Sequence, residues 1–328
     1  MNIEKYDYDL PKQLIAQKPV EPRDSSKLMV VRDTIEHRHF YDIVEYLNEN
    51  DLLVFNNSRV IRARVRGNKD TGGKVELLFL SNEKDPDILV KGKKVRPGTK
   101  IYIGEIKGIV REKKEGICKI DFNDDVSNII DRYGEVPLPP YIKEHLENVE
   151  RYQTIYSKVQ GSVAAPTAGL HFTENLLNSI QRKGVKISFI TLHISYSTFK
   201  PLDENEIAEG KLHEEYYHID DETAMIINNR QGRLFAVGTT VVRALESSSK
   251  NGKIIPGAFK TDLFIKEGYI FQSGIDALIT NFHIPRSSLL MLVTAFGGYE
   301  RIMNAYKIAV ENNYRFYSFG DAMLIFKK

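Results

Sequence analysis

At Val60 the chain changes texture, and that change limits its possible folds more than any other feature. Six short runs follow one another: Val60–Arg66, Val75–Leu80, Ile88–Lys91, Lys100–Ile103, Ile106–Glu112 and Ile117–Phe122, each bounded by glycine- or lysine-rich turns. Runs of this length and spacing point to an antiparallel barrel or sandwich. The pattern ends near Asp124, where a short helix and the turn-rich Pro137–Tyr141 lead out of it. On either side, strand-like and helical segments alternate, the mark of an α/β unit. The expected architecture is an α/β main domain built from both chain ends, residues 1–60 plus 151–328. Residues 61–150 form a basic antiparallel β domain inserted into it.

The insertion also holds the positive charge. The whole chain carries only +2, yet residues 59–114 hold 16 Lys and Arg against 7 Asp and Glu, so that segment is +9 and the remainder −7. A basic module on an acidic protein suits a polyanionic partner such as nucleic acid, although charge runs also serve as solvated faces. Arg62, Arg64 and Arg66 fall at period two and share one strand face, opposite Ala63 and Val65. Three like charges there need an anion, or carboxylates on a neighbouring strand, to offset them. The 328 residues suffice for two cores. A single cysteine, Cys118, excludes an internal disulfide and a cysteine-rich zinc cage, and its alternating surroundings suit a buried structural thiol. No apolar run reaches membrane-spanning length and Met1–Lys12 has no signal-peptide core, so a cytoplasmic protein without a membrane partner is expected.

Polar residues gather where strands run into helices. Ser162–Phe172 packs small residues, Pro166, Gly169 and His171 directly before a helix that Thr173 caps and Gly184 stops. Backbone N–H groups at such a turn attract anionic or polar ligands, and Thr167, Gly169, His171 and Phe172 are its candidate contacts. A packed turn around a hydrogen-bonded core histidine is the alternative. Leu234–Val237 runs into Gly238, Thr239 and Thr240 and then a helix over Val241–Ser247. N–H groups, two hydroxyls and a positive helix end converge there, with Arg243 in the first turn unless Glu246 holds it. Ala277–Asn281 leads into Asn281, Phe282 and His283 before an apolar helix from about Ser287, so His283 sits at the same kind of junction as His171. In the loop Pro19–Lys27, Arg23 beside Ser25 and Ser26 either grips a phosphate or carboxylate or is a solvated arginine. Asn57 and Arg59, after the buried strand Leu52–Asn56, are binding candidates or part of a plain Asx-turn. No dinucleotide fingerprint, P-loop, G-x-S-x-G elbow or H-E-x-x-H pair is present, so spacing names neither a reaction nor a metal.

Longer segments carry a resemblance. V-A-A-P-T-A-G-L-H-F-T from Val163, A-V-G-T-T-V-V-R-A-L-E-S from Ala236, T-D-L-F-I from Thr261, L-I-T-N-F-H-I-P-R-S-S-L-L-M-L from Leu278 and Y-R-F-Y-S-F-G-D-A-M-L-I from Tyr314 all resemble one family. So do D-L-P-K-Q-L-I-A-Q from Asp9 and E-R-Y-Q-T-I-Y from Glu150, and the matches run in family order from about residue 8 to 326. The family is the S-adenosylmethionine:tRNA ribosyltransferase-isomerase of queuosine biosynthesis. The resemblance implies a main α/β domain with a β-barrel insertion. It implies transfer of the ribosyl group of S-adenosylmethionine to a 7-aminomethyl-7-deazaguanine at the wobble position of tRNAs with GUN anticodons, with isomerisation to the epoxycyclopentanediol of epoxyqueuosine. Adenine and methionine leave. S-adenosylmethionine is thus the ribosyl donor, no metal is expected, and the chain is expected to act as a monomer.

This chemistry assigns expected roles. A base must reach the acidified C5′ hydrogens of the donor ribose, and His171 and His283 are the candidates because imidazole titrates near neutrality, with Asp262 and Asp321 as further ones. Gly238–Thr240 with Arg243 would fix the methionine carboxylate. Arg23, Asn57, Arg59, Thr167, Gly169 and Asn281 are further substrate contacts, while Phe172, Phe282, Tyr196 and the Arg62, Arg64 and Arg66 face would receive the anticodon loop. The chain departs from the family in two places. His193–Phe199 replaces two glycines of H-V-G-x-G-T-F, which narrows backbone approach, and Asn57-Ser58 stands where Asp-Thr is commoner. A non-catalytic tRNA-binding protein on the same scaffold and an RNA methyltransferase are the competing functions.

Overall fold

The computed structural model describes residues 2–114, 116–144, 146–196, 202 and 204–328. Its first strands are β1 (Lys27–Val31), β2 (Ile35–His39) and β3 (Leu52–Asn56). Every residue of β3 is buried, as a strand covered on both faces requires. A short strand β4 (Ser58–Val60) leads to β5 (Arg64–Lys69), β6 (Lys74–Phe79), β7 (Ile88–Lys91), β8 (Lys100–Ile103), β9 (Ile106–Lys114) and β10 (Ile117–Phe122). These six close into an antiparallel barrel in the order β10-β7-β6-β5-β8-β9. Their alternation buries Val65, Leu77, Phe79, Ile101, Ile103 and Cys118 in one core, to which Ile129 and Ile130 of α1 (Val126–Tyr133) are added. Closure removes the exposed edges a sandwich would keep. The first run departs from the expected strand, because the Ala63 N–H bonds the Ile61 carbonyl (2.8 Å) in a tight turn that splits Val60–Arg66. Arg62 therefore lies between strands, and only Arg64 and Arg66 share a strand face.

The chain returns through β11 (Val159–Ser162), which pairs parallel with β4, and then α2 (Glu174–Arg182), β12 (Lys186–Leu192), α3 (Glu204–Glu209), β13 (Lys211–Ile219), α4 (Asp221–Asn228) and β14 (Leu234–Val237). It continues with α5 (Thr239–Ser248), the hairpin β15 (Ser249–Lys250) and β16 (Lys253–Ile254), β17 (Gly257–Leu263), β18 (Ala277–Asn281), α6 (Ser288–Gly297), α7 (Tyr299–Glu311) and β19 (Ala322–Phe326). Thr173, Asp220 and Ser287 cap α2, α4 and α6 by accepting a backbone N–H three residues on. Nine strands form one sheet in the order β17-β13-β12-β3-β14-β18-β19-β1-β2, with β12, β3, β14 and β18 running parallel.

Alternate residues of each central strand serve different faces. Leu52, Val54, Leu234 and Ala236 join the core that also contains Val241, Leu245 and Leu290 from α5 and α6. Leu53, Phe55, Phe235 and Val237 instead pack with Leu176 and Ile180 of α2. The connection out of β3 returns through α2 to β12 on one side, whereas α5 carries β14 to β18 on the other. Right-handed crossovers in opposite directions put these helices on opposite faces and leave a crevice outside the carboxyl ends of the strands.

Candidate active site

At that edge, between the ends of β14 and β18, lies a cleft of ≈ 720 Å³, solvent at its mouth included. Gly238 forms its floor with φ +97° and ψ 150°, a conformation reserved for glycine, and donates to the Ile279 carbonyl (2.8 Å). Because α5 starts at Thr239, two residues earlier than its apolar pattern indicates, Thr239 and Thr240 occupy the first turn, whose N–H groups have no partner within the helix. Asn56 locks three strand ends together. It donates to the Leu192 carbonyl (2.9 Å) and Thr240 Oγ1 (3.4 Å) and accepts from the N–H groups of Leu192 (3.0 Å) and Ser58 (3.1 Å). Thr167, Ala164, Ala165 and Ala168 form the opposing wall. Tyr141 and Tyr317 close one end, their ring centroids 4.5 Å apart. Tyr317 holds φ +73°, rare for an aromatic residue. Three hydrogen bonds fix it: its N–H to the Phe282 carbonyl (3.1 Å), and its carbonyl from Gly320 N–H (3.0 Å) and Asn281 Nδ2 (3.1 Å).

His283 lines the cleft, with Nε2 2.9 Å from Thr280 Oγ1 and no hydrogen bond to Nδ1 among the described residues. Burial lowers its pKa to about 3, so the ring is neutral. His171 is buried behind the cleft, stacked on Phe40 at 4.8 Å. Its Nδ1 lies 2.7 Å from Ser26 Oγ and its Nε2 3.2 Å from Asn281 Nδ2. The amide nitrogen can only donate, which assigns Nε2 as acceptor and places the ring proton on Nδ1. Burial, then the charges of Arg315, Arg151 and Arg23, push its pKa down to about 3. His171 therefore aims Asn281 without lining the cleft itself. Asn281 is buried, and its Oδ1 has no partner among the described residues. The described lining contains no Asp, Glu, Lys or Arg.

The profile of the family described as "Queuosine biosynthesis protein" matches residues 3–325. The chain belongs to this family. The S-adenosylmethionine:tRNA ribosyltransferase-isomerase of Symbiobacterium thermophilum is 50% identical over 341 residues, which cover 99% of this chain and 100% of that protein. The crystal structure of the S-adenosylmethionine tRNA ribosyltransferase of Thermotoga maritima is 38% identical, with a TM-score of 0.58 over 98% of this chain and 99% of that one. The α/β sheet with its inserted barrel is thus the architecture that the resemblance implied.

In this queuosine biosynthesis protein the cleft brings together Thr167, Gly238, Thr239, Thr240, Asn281, Phe282 and His283. Other expected contacts lie elsewhere. Arg243 falls in the second turn of α5 because the helix starts early. Its guanidinium is buried, ion-paired to Glu215 and bonded to the Leu263 carbonyl (3.1 Å), so it offers no cation to the cleft. Glu246 holds Ser273, Gln272 and Tyr269 instead. Asp262 pairs with Lys211 at 2.7 Å in the outermost strand. Asp321 is buried and clamps the N–H groups of Lys27 (3.0 Å) and Arg315 (2.8 Å) together with the Arg315 guanidinium (3.2 Å). Gly169 is small for packing, since a Cβ there would come within 1.9 Å of the Tyr156 hydroxyl. Phe172 is core, edge-on to Phe40 and Phe55.

Asn57 accepts from the Thr191 hydroxyl (2.7 Å), and Arg59 binds Ser157 Oγ (2.9 Å) and Glu150 (2.7 Å). Arg64 and Arg66 converge on Glu135 at 3.5 and 3.2 Å, so a carboxylate on the segment after α1 offsets their repulsion, while Arg62 stays exposed. Arg23 caps the carbonyls of Gln153 (2.7 Å) and Glu150 (3.2 Å). In the departing loop His193–Phe199, Ser195 donates its N–H to Glu215 (2.8 Å) and Tyr196 packs on the barrel core; residues 197–199 lie outside the described residues. Tyr141, Tyr317 and Ser318 escaped the sequence reading. The aromatic run Tyr314–Phe319, interrupted by Arg315 and Ser318, is the signal in the sequence.

Proposed function

We propose that this cleft transfers and isomerises the ribosyl group of S-adenosylmethionine onto the aminomethyl arm of a 7-deazaguanine at a tRNA wobble position. Adenine and methionine are released and epoxyqueuosine remains in the tRNA. The observation that carries the reading is the hydroxyl-rich cleft at the strand ends, lined among the described residues by no charged side chain and by neutral His283, whose Nδ1 has no hydrogen-bond partner among them. A sulfonium held where no protein charge competes keeps its full field on the C5′ hydrogens. His283 Nδ1 receives that proton. Because burial disfavours the imidazolium, His283 passes the proton on, and the departing adenine is its acceptor. The unpartnered Oδ1 of Asn281 takes an amino N–H of adenine or of the aminomethyl arm, and His171 is a positioning residue acting through Asn281.

In this reading residues 1–60 plus 151–328 hold the chemistry, and the basic unit 61–150 lies beside the anticodon arm of a tRNA with a GUN anticodon. The protein acts as a monomer in the cytoplasm. The test is mass spectrometry of an anticodon stem-loop carrying the aminomethyl-deazaguanine after incubation with S-adenosylmethionine. The epoxycyclopentanediol nucleoside should appear with equal adenine and methionine, and should be lost in His283→Ala. A methylated base with S-adenosylhomocysteine, or binding with no product, overturns the reading.

A further inference from the structure

Behind His171 lies a second, smaller hollow of ≈ 250 Å³, solvent at its mouth included, walled by Arg23, Arg151, His171, Leu170 and the chain at Ser318–Gly320. Its charged lining residues are the two arginines, with the Glu21 carboxylate paired to Arg151. Arg151 donates Nη2 to the Val20 carbonyl (2.7 Å) and is ion-paired through Nε with Glu21, whereas Nη1 is buried with no hydrogen-bond partner among the described residues. Its side chain is 11% exposed. Arg23 is held by the Gln153 and Glu150 carbonyls, and burial followed by the charge of Arg151 lowers its pKa to about 10. Arg315 adds a third positive field at His171, although Asp321 binds its guanidinium. The imidazole cannot supply an acceptor, because its Nε2 is taken by Asn281 and its Nδ1 by Ser26.

A buried guanidinium N–H without an acceptor is unfavourable by more than a neutral one, and two guanidiniums on one hollow repel. An oxyanion at Nη1 satisfies that donor and adds to Glu21 in offsetting the two charges. Ser318 lines this hollow and the cleft alike, so an anion here lies one residue away from the reacting substrates.

We propose that Arg151, with Arg23, forms an oxyanion subsite that anchors one of the two substrates. The chemistry is shared by the carboxylate of the methionine moiety and by a phosphodiester flanking the modified nucleotide. This rests on the function proposed above, and Arg151 acts in substrate binding, not in proton transfer. A charge-assisted pair of this kind contributes to affinity, so Arg151→Gln should raise one substrate's KM by about 10- to 100-fold. A rise for S-adenosylmethionine identifies the carboxylate, and a rise for the stem-loop identifies the phosphate. Arg151→Lys should recover part of the loss, since charge returns without the planar fork. Inorganic phosphate should inhibit the wild-type protein competitively against that same substrate and should not inhibit Arg151→Gln in this way. Unchanged KM values for both substrates in an Arg151→Gln protein with wild-type circular dichroism overturn the proposal. If that variant does not fold, absence of competitive phosphate inhibition in the wild type overturns it equally. Wild-type protein that forms no epoxyqueuosine defeats the proposed function instead, and direct phosphate binding to wild type and variant still decides the subsite.

Discussion

Arg243 separates two accounts of the site by measurement. Its guanidinium and the Glu215 carboxylate are 7% and 2% exposed, and Glu215 also accepts the Ser195 N–H at 2.8 Å. Arg243→Ala would break this buried ion pair, which costs about 3–5 kcal/mol. The Leu263 carbonyl would lose its donor as well, adding about 1 kcal/mol. Replacing the pair together, Arg243→Met with Glu215→Leu, removes both charges, and the residual loss should fall to about 1–2 kcal/mol, set by the hydrogen bonds the pair makes to Ser195 and Leu263. Urea unfolding followed by far-UV circular dichroism measures this, since the chain contains no tryptophan to report. The KM for S-adenosylmethionine completes the test. If Arg243 is a structural ion, the double variant recovers stability and keeps a KM within a few-fold of wild type. A single-variant loss below about 1 kcal/mol would refute the burial argument. A double variant that folds well yet has a greatly raised KM would refute its exclusion from the cleft.

Gly238→Ala meets nothing closer than Thr240 Oγ1 at 3.5 Å, so its effect comes from the backbone at φ +97°. That conformation costs about 1–3 kcal/mol for a residue with a Cβ, and urea titration with kcat should show loss of both stability and turnover as the Thr239–Thr240 turn shifts. His171 makes stability depend on pH. Its folded pKa of about 3 lies below the ordinary 6.5, so the unfolded chain binds the proton first and stability falls as pH drops below 6.5. At pH 5 the loss from this ring is about 2 kcal/mol relative to neutral pH, and His283 acts in the same direction. Urea midpoints at the two pH values measure it, and an imidazole resonance of His171 that titrates near 6.5 would contradict the burial.

The sequence by itself determined what depends on neighbours in the chain. Apolar runs such as Leu52–Asn56 and Ala277–Asn281 read as buried strands with the bounds they have in the fold, Thr173 announced the cap of α2, and the start of α6 was legible at about Ser287. The β2 and β13 strands escaped, because their exposed positions carry polar residues such as His37, His39, His213 and Glu214, and an antiparallel strand need not be apolar on both faces. Gly238–Thr240 and His283 were visible as strand-to-helix junctions. Whether a charge is free was not. Arg243 meets Glu215 across 28 positions, Arg64 and Arg66 meet Glu135 from beyond α1, and Arg23 lies beside Arg151 from 128 residues away. Local pattern reports propensity and burial within a few residues, whereas an ion pair forms wherever the folded chain brings opposite charges within about 4 Å. Tertiary structure alone therefore decided which arginines are spent on the scaffold and which keep a buried donor without a partner among the described residues.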